Sequence, residues 1–165
     1  MNICVTRFDN KTLKENLYFR NNNNIKCIYG SPIKISESIY PNDDIIVLEM
    51  NNTINRLEGI GIIKNKLFLQ EKKRYKIYSD NNYNRFIYIS NKRIDKSNFS
   101  ENEKEIIKYL ENLLFKSYYH CKRGQGIQQI PKRIENNEYN LNFKKFLINM
   151  YNNRFILIKN IKLLE

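Results

Sequence analysis

A basic segment with closely spaced glycines is the strongest candidate for chemistry in this sequence. It consists of Lys122, Arg123, Gly124, Gln125 and Gly126. Two glycines one residue apart let backbone N–H groups turn toward an anion, the two cations supply charge, and the glutamine can hydrogen-bond a base edge or a sugar. The spacing is not that of a phosphate-binding G-x-x-x-x-G-K-[ST] loop. The segment predicts contact with a phosphate backbone; the alternative is an ordinary helix C-cap glycine in a solvated loop.

Basic residues interleaved with aromatic ones form a second candidate. The set is Lys64, Lys66, Phe68, Lys72, Lys73, Arg74, Tyr75, Lys76 and Tyr78. Aromatic rings can stack on unpaired bases while cations hold phosphates, which suits a single-stranded nucleic acid. The alternative is that the rings face a core while the lysines face water. Tyr83 and Arg85, in an Asn-Tyr-Asn-Arg-Phe turn, combine the same side-chain types.

The sequence gives little support for catalysis or for a metal. His120 is the single histidine, and the three cysteines, Cys4, Cys27 and Cys121, show no C-x-x-C spacing. A zinc site needs about four such ligands. No Ser-His-Asp or Cys-His arrangement is visible. We therefore expect no cofactor and no metal, and binding rather than catalysis.

Hydrophobic patterning places these segments on an alternating set of elements. We predict a strand over Ile3–Phe8, a helix near residues 11–20 and a strand over Ile25–Tyr29. Asp9 and Asn10 offer N-cap chemistry for that helix, and Thr12 and Glu15 have the spacing of a capping box. The strongest signal is a β-hairpin with strands over 45–50 and 54–64. Gly59 and Gly61 within it predict a bulge or a close backbone approach.

The second half of the chain predicts mainly helices. Residues 67–78 and 85–90 are typical of two further strands, after which Ser100 and Glu103 form a capping box before a helix that ends near residues 118–120. Residues 121–133 predict a loop, and Tyr139–Tyr151 a second amphipathic helix. Residues 154–164 fit either a closing strand or a continuation of that helix. Together these elements indicate an α+β fold with a small curved sheet or β-barrel flanked by helices.

The charge composition of the chain indicates which class of molecule it binds. The 165 residues carry 29 Lys and Arg against 17 Asp and Glu, a net charge of +12. Such a charge attracts nucleic acid, although an A+T-rich genome also enriches lysine and asparagine. The length fits one domain. No apolar run is long enough for a membrane span, and the N-terminus is not typical of a signal peptide. We expect an intracellular, non-secreted protein with no membrane partner.

The first seventy residues resemble the PUA-like superfamily, with the EVE, YTH and ASCH domains as the nearest parallels. The order strand, helix, strand and hairpin carries the likeness. The strand start Asn42-Asp43-Asp44-Ile45-Ile46-Val47 and the return strand Glu58-Gly59-Ile60-Gly61-Ile62-Ile63 match the family pattern, except that Asp43 replaces its usual glycine. The chain has no tryptophan, so a YTH-type cage is excluded. Other phrases, including Arg93-Ile94-Asp95, resemble proteins encoded by large DNA viruses.

The resemblance implies a single PUA-like domain over residues 1–165, with a helical extension from about residue 100, that binds nucleic acid, RNA in preference to DNA. It implies a base pocket at the open edge of a barrel, formed by Arg7, Tyr29, Ser31 and Asn51, with stacking on Tyr29 or Tyr83. The Lys122–Gly126 loop and Arg85 would hold the backbone. One alternative is a viral structural or assembly protein, in the host cytoplasm or the virion, whose basic surface contacts genome or capsid partners. Another is an ASCH-type hydrolase or nuclease.

Overall fold

The computed structural model describes residues 1–68, 75–118 and 120–155. The chain divides into two compact units, Met1–Ile130 and Pro131–Glu165. In the second unit the description ends at residue 155. The expectation of a single domain stays a prediction.

The first unit contains seven strands within its described residues. They are β1 (Asn2–Phe8), β2 (Cys27–Ser31), β3 (Asp44–Asn51), β4 (Arg56–Lys64), β5 (Phe86–Ser90), β6 (Lys92–Asp95) and β7 (Gln128–Gln129). A mixed five-stranded sheet has the order β6-β4-β3-β1-β7, with β1 parallel to β3 and its other pairs antiparallel. Strands β2 and β5 form a separate antiparallel pair.

The core explains why these segments are strands. Strand β3 is buried on both faces over seven of its eight residues, as its nearly continuous apolar sequence requires. Cys4, Ile45 and Val47 from the larger sheet pack in one cluster with Ile28 and Tyr88 from the smaller one. The smaller sheet therefore covers one face of the larger.

Four α-helices complete the described residues: α1 (Asn10–Asn23), α2 (Glu101–Glu111), α3 (Lys132–Glu135) and α4 (Phe143–Phe155). The α2 capping box of Ser100 and Glu103 is confirmed, and α2 continues as a π-helical turn over Asn112–Lys116. The predicted box at the start of α1 is wrong. Asp9, one of the two residues predicted to offer N-cap chemistry, is the N-cap and shares the box with Thr12, because the helix begins one residue earlier than expected.

The α+β class is confirmed, and the described residues contain no closed barrel. The described residues of the predicted strand over 67–78, which are 67–68 and 75–78, form no strand. Residues 69–74 lie outside the described residues. Strand β6 was not predicted, since a four-residue charged edge strand has little apolar signal. Helix α4 begins four residues later than expected, and the predicted tail beyond residue 155 lies outside the description.

A buried ionic network crosses the large sheet. The Glu49 side chain is 1% exposed and accepts hydrogen bonds from Arg93 Nε at 2.8 Å, Arg93 Nη2 at 2.6 Å and the Tyr29 hydroxyl at 2.7 Å. Burial alone would lower the pKa of Arg93, but Glu49 outweighs it and raises that pKa. Two glycines make room for the network.

Those glycines confirm the prediction of a bulge and a close approach. The register of β3 and β4 shifts between Glu49 and Met50, opposite Gly59. A Cβ on Gly59 would lie 2.5 Å from Arg93 Nη2, and one on Gly61 would overlap the Tyr29 hydroxyl. Both positions therefore exclude any larger side chain.

Asparagine makes the left-handed turns in this fold. Within the described residues, the non-glycine positions with positive φ are Asn24, Asn42, Asn55 and Asn140. Asn24 ends α1, and its N–H donates to the carbonyls of Arg20 and Asn21. Asparagine tolerates this conformation better than other residues with a side chain.

The second unit is built around helix α4. Phe143, Leu147 and Met150 are buried at helical spacing on one face. The Asn137 side chain closes the turn before it, donating to the Leu141 carbonyl at 2.8 Å and accepting from the Leu141 N–H at 3.0 Å. No helix in the described ranges is both long and apolar enough to cross a membrane.

Candidate nucleic-acid interface

A cleft with a volume of about 400 Å³ opens where β1 ends and α1 begins. Six parts of the first unit line it: the end of β1, the first turns of α1, Gly30 in β2, the turn after β3, the 78–83 segment and the 122–126 loop. The lining residues are Thr6, Arg7, Phe8, Asp9, Lys11, Thr12, Glu15, Gly30, Asn52, Tyr78, Ser79, Asp80, Tyr83, Lys122, Gly124 and Gly126. Its size falls within the range of small-molecule sites, about 300–1,000 Å³.

The basic glycine-containing loop reaches this cleft. Lys122, Gly124 and Gly126 line it, whereas Arg123 and Gln125 are exposed and do not. The two glycines have φ of 122° and 68°, so both need the left-handed region that glycine permits. A Cβ on Gly126 would also overlap the Ser31 hydroxyl oxygen.

Two side chains, one from β1 and one from the β3–β4 turn, fix the 122–126 loop in place. Arg7 Nε donates to the Cys121 carbonyl at 2.5 Å, and Asn52 Nδ2 donates to the Lys122 carbonyl at 2.9 Å. Both residues also line the cleft. The cation at position 122 is therefore positioned by contacts from β1 and from the β3–β4 turn.

Three polar atoms of cleft-lining residues are buried with no hydrogen-bond partner in the described part of the chain. They are Arg7 Nη1, Glu15 Oε2 and Asn52 Oδ1. Leaving a buried polar group unpaired costs about 1–3 kcal/mol, and native proteins do so rarely. Burial also lowers the pKa of the Arg7 guanidinium. These atoms have almost no accessible surface, so they lie behind the wall of the cleft and a molecule in the open cleft does not contact them as the side chains stand.

The aromatic wall comes from the 78–83 segment. Tyr83 is half-buried, and its ring lies 6.2 Å from that of Tyr78 in an edge-on arrangement. Tyr78 is buried, which raises the pKa of its hydroxyl, and that hydroxyl accepts from Asn16 Nδ2 at 3.1 Å. Gly30 permits this packing, because a Cβ there would lie 2.9 Å from the Tyr78 ring. Tyr83 is therefore the ring at this cleft that retains exposure.

Opposite charges are mixed along the cleft. Lys11 and Lys122 face a lining that also includes Asp9, Glu15 and Asp80. A hydrogen bond from the Thr12 N–H lowers the pKa of Asp9, which keeps that carboxylate ionised. A simple anion site would not carry three carboxylates, so the lining favours a ligand with both donors and acceptors.

Several predicted site residues lie in the interior instead. Tyr29 is 1% exposed with its hydroxyl on Glu49, so burial excludes it from base stacking. Ser31 is buried and donates to the Ile33 carbonyl at 2.5 Å. Asn51 is buried and donates to Glu58 Oε1 at 2.9 Å. These three residues shape the surroundings of the cleft without lining it.

In the turn around Tyr83, Asn84 has a structural role and Arg85 is exposed to solvent. Asn84 Oδ1 accepts from the backbone N–H groups of Ile77 and Tyr78 at 2.9 and 3.0 Å, so that amide forms the turn. Arg85 is exposed, with its guanidinium carbon 5.8 Å from the centroid of the Phe86 ring. It lies outside the cleft lining.

The second basic stretch is less informative. Lys72, Lys73 and Arg74 lie outside the described residues. The Tyr75 ring packs edge-on against Phe19 at 5.4 Å, which favours the core alternative for this aromatic residue. Lys64 forms an ion pair with Asp44 at 3.4 Å.

Sequence reasoning missed Lys11, Glu15, Asn52 and Asp80. A signal existed only for the first two, because positions i and i+4 of a helix share a face. No group of His, Cys, Asp or Glu among residues 1–68, 75–118 and 120–155 is arranged to hold a metal ion.

The cleft's chemistry is the basis for any functional assignment, because comparison with known proteins adds none. The chain matches no family model, no curated protein and no solved structure.

Proposed function

We propose that this protein binds single-stranded nucleic acid, RNA in preference to DNA, and takes an unpaired base into the cleft at the end of β1. The observation that carries the proposal is the meeting of a partly exposed tyrosine, two lysines and several polar side chains at one cleft. A nucleotide offers donors and acceptors on its base, a ring face for stacking and a phosphate for the lysines. The net charge of +12 would attract such a polyanion.

The roles follow from position. Tyr83 would stack on the base, while Lys11 on one wall and Lys122 on another would contact phosphates. Arg7 and Asn52 hold the 122–126 loop and would keep Lys122 in place. Arg123 and Arg85, which are exposed outside the cleft, would add only long-range attraction.

We also propose a PUA-like relationship for the first unit. The element order through the β3–β4 hairpin and the packing of α1 beside the cleft support it, while the sheet stays open within the described residues. The likeness to proteins of large DNA viruses and an intracellular location stay predictions.

Paired lysine variants test the cleft. Lys11 and Lys14 are both exposed on α1, but only Lys11 lines the cleft. We expect Lys11→Ala and Lys122→Ala each to weaken binding of a fluorescein-labelled single-stranded RNA several-fold in anisotropy titrations, and Lys14→Ala to change it little. Equal effects of Lys11→Ala and Lys14→Ala would contradict a binding role for the cleft.

Tyr83→Ala tests stacking. Loss of one base–aromatic stack costs about 1–3 kcal/mol, which corresponds to roughly 5- to 150-fold in affinity. Tyr83→Phe keeps the ring and should retain affinity. If the phenylalanine variant binds as poorly as the alanine variant, the hydroxyl rather than the ring face is responsible and stacking is wrong.

A further inference from the structure

A strongly positive groove runs beside α2 in the first unit. It consists of two adjoining hollows of about 380 and 130 Å³, which share Arg56 and Glu111 in their linings. We call it the α2 groove and define it by its charged residues, which are Arg56, Lys96, Lys104, Lys108, Glu111 and Lys116. Five of these are cations and one is a carboxylate, whereas the lining of the cleft carries three of each.

The one carboxylate among these groove residues is already engaged. Glu111 is buried, and its Oε2 accepts from Arg56 Nη1 at 2.8 Å while its Oε1 accepts from the Leu57 N–H at 2.7 Å. Both carboxylate oxygens are therefore held by β4. Glu111 neutralises Arg56 and leaves the lysines of the groove uncompensated.

Lys108 and Lys116 are the cations of the groove that a ligand can use most readily. Arg56, Lys96 and Lys104 form ion pairs with acidic side chains. Lys108 and Lys116 are exposed and form no ion pair with any described residue. They are separated by about two helical turns, so they lie on one face of the helix, and both line the groove.

The β3–β4 turn joins the groove to the cleft. Asn52 in this turn lines the cleft, and Ile54 and Asn55 line the groove. The Cα atoms of Asn52 and Ile54 are at most about 8 Å apart, because consecutive Cα atoms are about 3.8 Å apart. Ile54 is 48% exposed, so this turn is open to solvent. A strand that leaves the cleft reaches the groove by crossing one turn.

The lining of the groove favours a sugar-phosphate backbone over a base or a peptide. Its aromatic ring, Phe99, is buried, so a base has no ring to stack on. Leu57 and Ile107 are also buried, so the groove offers an apolar peptide side chain little surface. The cleft has the partly exposed ring of Tyr83 and balanced charges. The two surfaces therefore offer complementary contacts, one for a base and the other for phosphates.

Resting on the proposed function, we propose that a single strand bound in the cleft continues across the β3–β4 turn into the α2 groove. Lys108 and Lys116 contact two of its phosphates there, in addition to the two contacted by Lys11 and Lys122. The binding site is therefore longer than the cleft, and the protein prefers an extended strand to a short oligomer.

A length series of oligouridines tests the extension on the full chain. Fluorescein-labelled oligomers run from the trinucleotide, whose internal phosphates suffice for the cleft, to about 16 nucleotides, the upper end of known single-strand sites. Anisotropy titrations at several salt concentrations give the affinity and its salt slope. We expect a slope of about −1.4 for the trinucleotide and about −2.8 for a long oligomer, because each phosphate contributes about −0.7.

A paired groove variant, Lys108→Ala with Lys116→Ala, should bind the long oligomer several-fold more weakly and return its slope to about −1.4. Its affinity for the trinucleotide should be unchanged. The matched control is Lys14→Ala with Lys144→Ala, which removes the same charge from exposed lysines that line neither the cleft nor the groove. The control should keep the steeper slope. Circular dichroism melting checks folding; if the groove pair does not fold, the length series on the unsubstituted chain decides.

Three results would overturn the extension and leave the cleft proposal standing. A salt slope that stays near −1.4 at every length would confine the strand to the cleft. Equal weakening by the groove pair and the control pair would show diffuse attraction. Loss of polyglutamate binding in the groove pair, with oligouridine binding retained, would assign the groove to an acidic protein.

Two further results concern the cleft. Binding of long oligomers that depends on the groove pair, but not on Lys11, Lys122 or Tyr83, would overturn the base site in the cleft and keep the phosphate contacts of the groove. Absence of binding at every length would overturn both proposals.

Discussion

The role of a single residue in this protein depends more on its surroundings in the fold than on its residue type. Tyr29 and Tyr83 were both predicted to stack on a base, yet the first hydrogen-bonds Glu49 in the interior and the second lines the cleft. The difference arises from strand pairing, which brings β3 with Glu49 into the large sheet behind Tyr29. A list of aromatic residues read from the sequence cannot separate the two.

The buried Glu49–Arg93 pair predicts a large and asymmetric stability effect. Arg93→Met removes one partner from side chains that are 8% and 1% exposed, which should lower the free energy of unfolding by about 3–5 kcal/mol. Adding Glu49→Gln removes the stranded charge and should restore part of the loss. Urea unfolding of the single and the double variant measures the loss and the recovery. An Arg93→Met loss below about 1 kcal/mol would contradict the assignment of a buried pair.

Asp95 predicts an acid-sensitive contribution to stability. Partial burial would raise its pKa, but hydrogen bonds from Arg93 and Ser97 outweigh burial and lower the pKa from 3.8 to about 2. The unfolded chain therefore binds the proton first as pH falls. This contribution is complete above the unfolded pKa and disappears as pH falls through the folded one.

Asp95→Asn isolates that effect, because asparagine can still cap the 3₁₀ turn over Lys96–Asn98. Between pH of about 5 and about 2.5, the urea midpoint of the unsubstituted protein should fall more than that of Asp95→Asn. Parallel declines in the two proteins would assign acid sensitivity to other carboxylates.

Among the helices and strands, those that depend on interactions close in sequence were predicted correctly. The β3–β4 hairpin follows from a β-branched run and its turn residues, and α2 follows from its capping box. The α1 capping box was misplaced by three positions, which assigned Glu15 to helix capping. Asp9 performs that role, and Glu15 is one of the residues that line the cleft instead.

Pairings distant in sequence explain the rest. Strand β2 pairs with β5 across more than fifty residues, and the parallel register of β1 and β3 places Phe8 opposite Asn51, which brings the β3–β4 turn beside the start of α1. The 122–126 loop was recognised from its glycines and charge, but its partners Glu15, Asn52 and Asp80 become neighbours only through these pairings.

The tight contact between β4 and Tyr29 makes a prediction at this scale. Gly61→Ala would drive a methyl group into the Tyr29 hydroxyl, and overpacking of this kind costs about 1–3 kcal/mol. Tyr29→Phe removes that oxygen. In thermal or urea unfolding, the double variant should therefore lose less stability than the sum of the two single variants. Strict additivity would show that the two positions do not collide.

For the whole molecule, the total of 29 Lys and Arg overstates the number of cations available to a ligand. Arg56, Lys64, Arg93, Lys96 and Lys104 form ion pairs with acidic side chains. The cleft itself also carries carboxylates. Lys11 and Lys122 are the lysines that line it, so a single strand bound there should neutralise far fewer phosphates than the net charge of +12 suggests.

The salt dependence of binding tests that expectation. Each neutralised phosphate of a single strand contributes about −0.7 to the slope of log affinity against log salt, so one phosphate at each of Lys11 and Lys122 gives a slope of about −1.4. Lys122→Ala should make the slope less steep by about 0.7. A slope near −8 would indicate diffuse attraction over the surface and contradict binding in one cleft.

The asparagines with left-handed backbone relate the turns of this fold to the codons that encode them. Asn24, Asn42, Asn55 and Asn140 adopt a conformation that glycine accommodates with less strain. Mutational paths from asparagine triplets to glycine triplets can pass through aspartate, which also tolerates this backbone. A lineage drifting toward G+C could therefore exchange these residues one by one, with each intermediate still turning the chain at the same points.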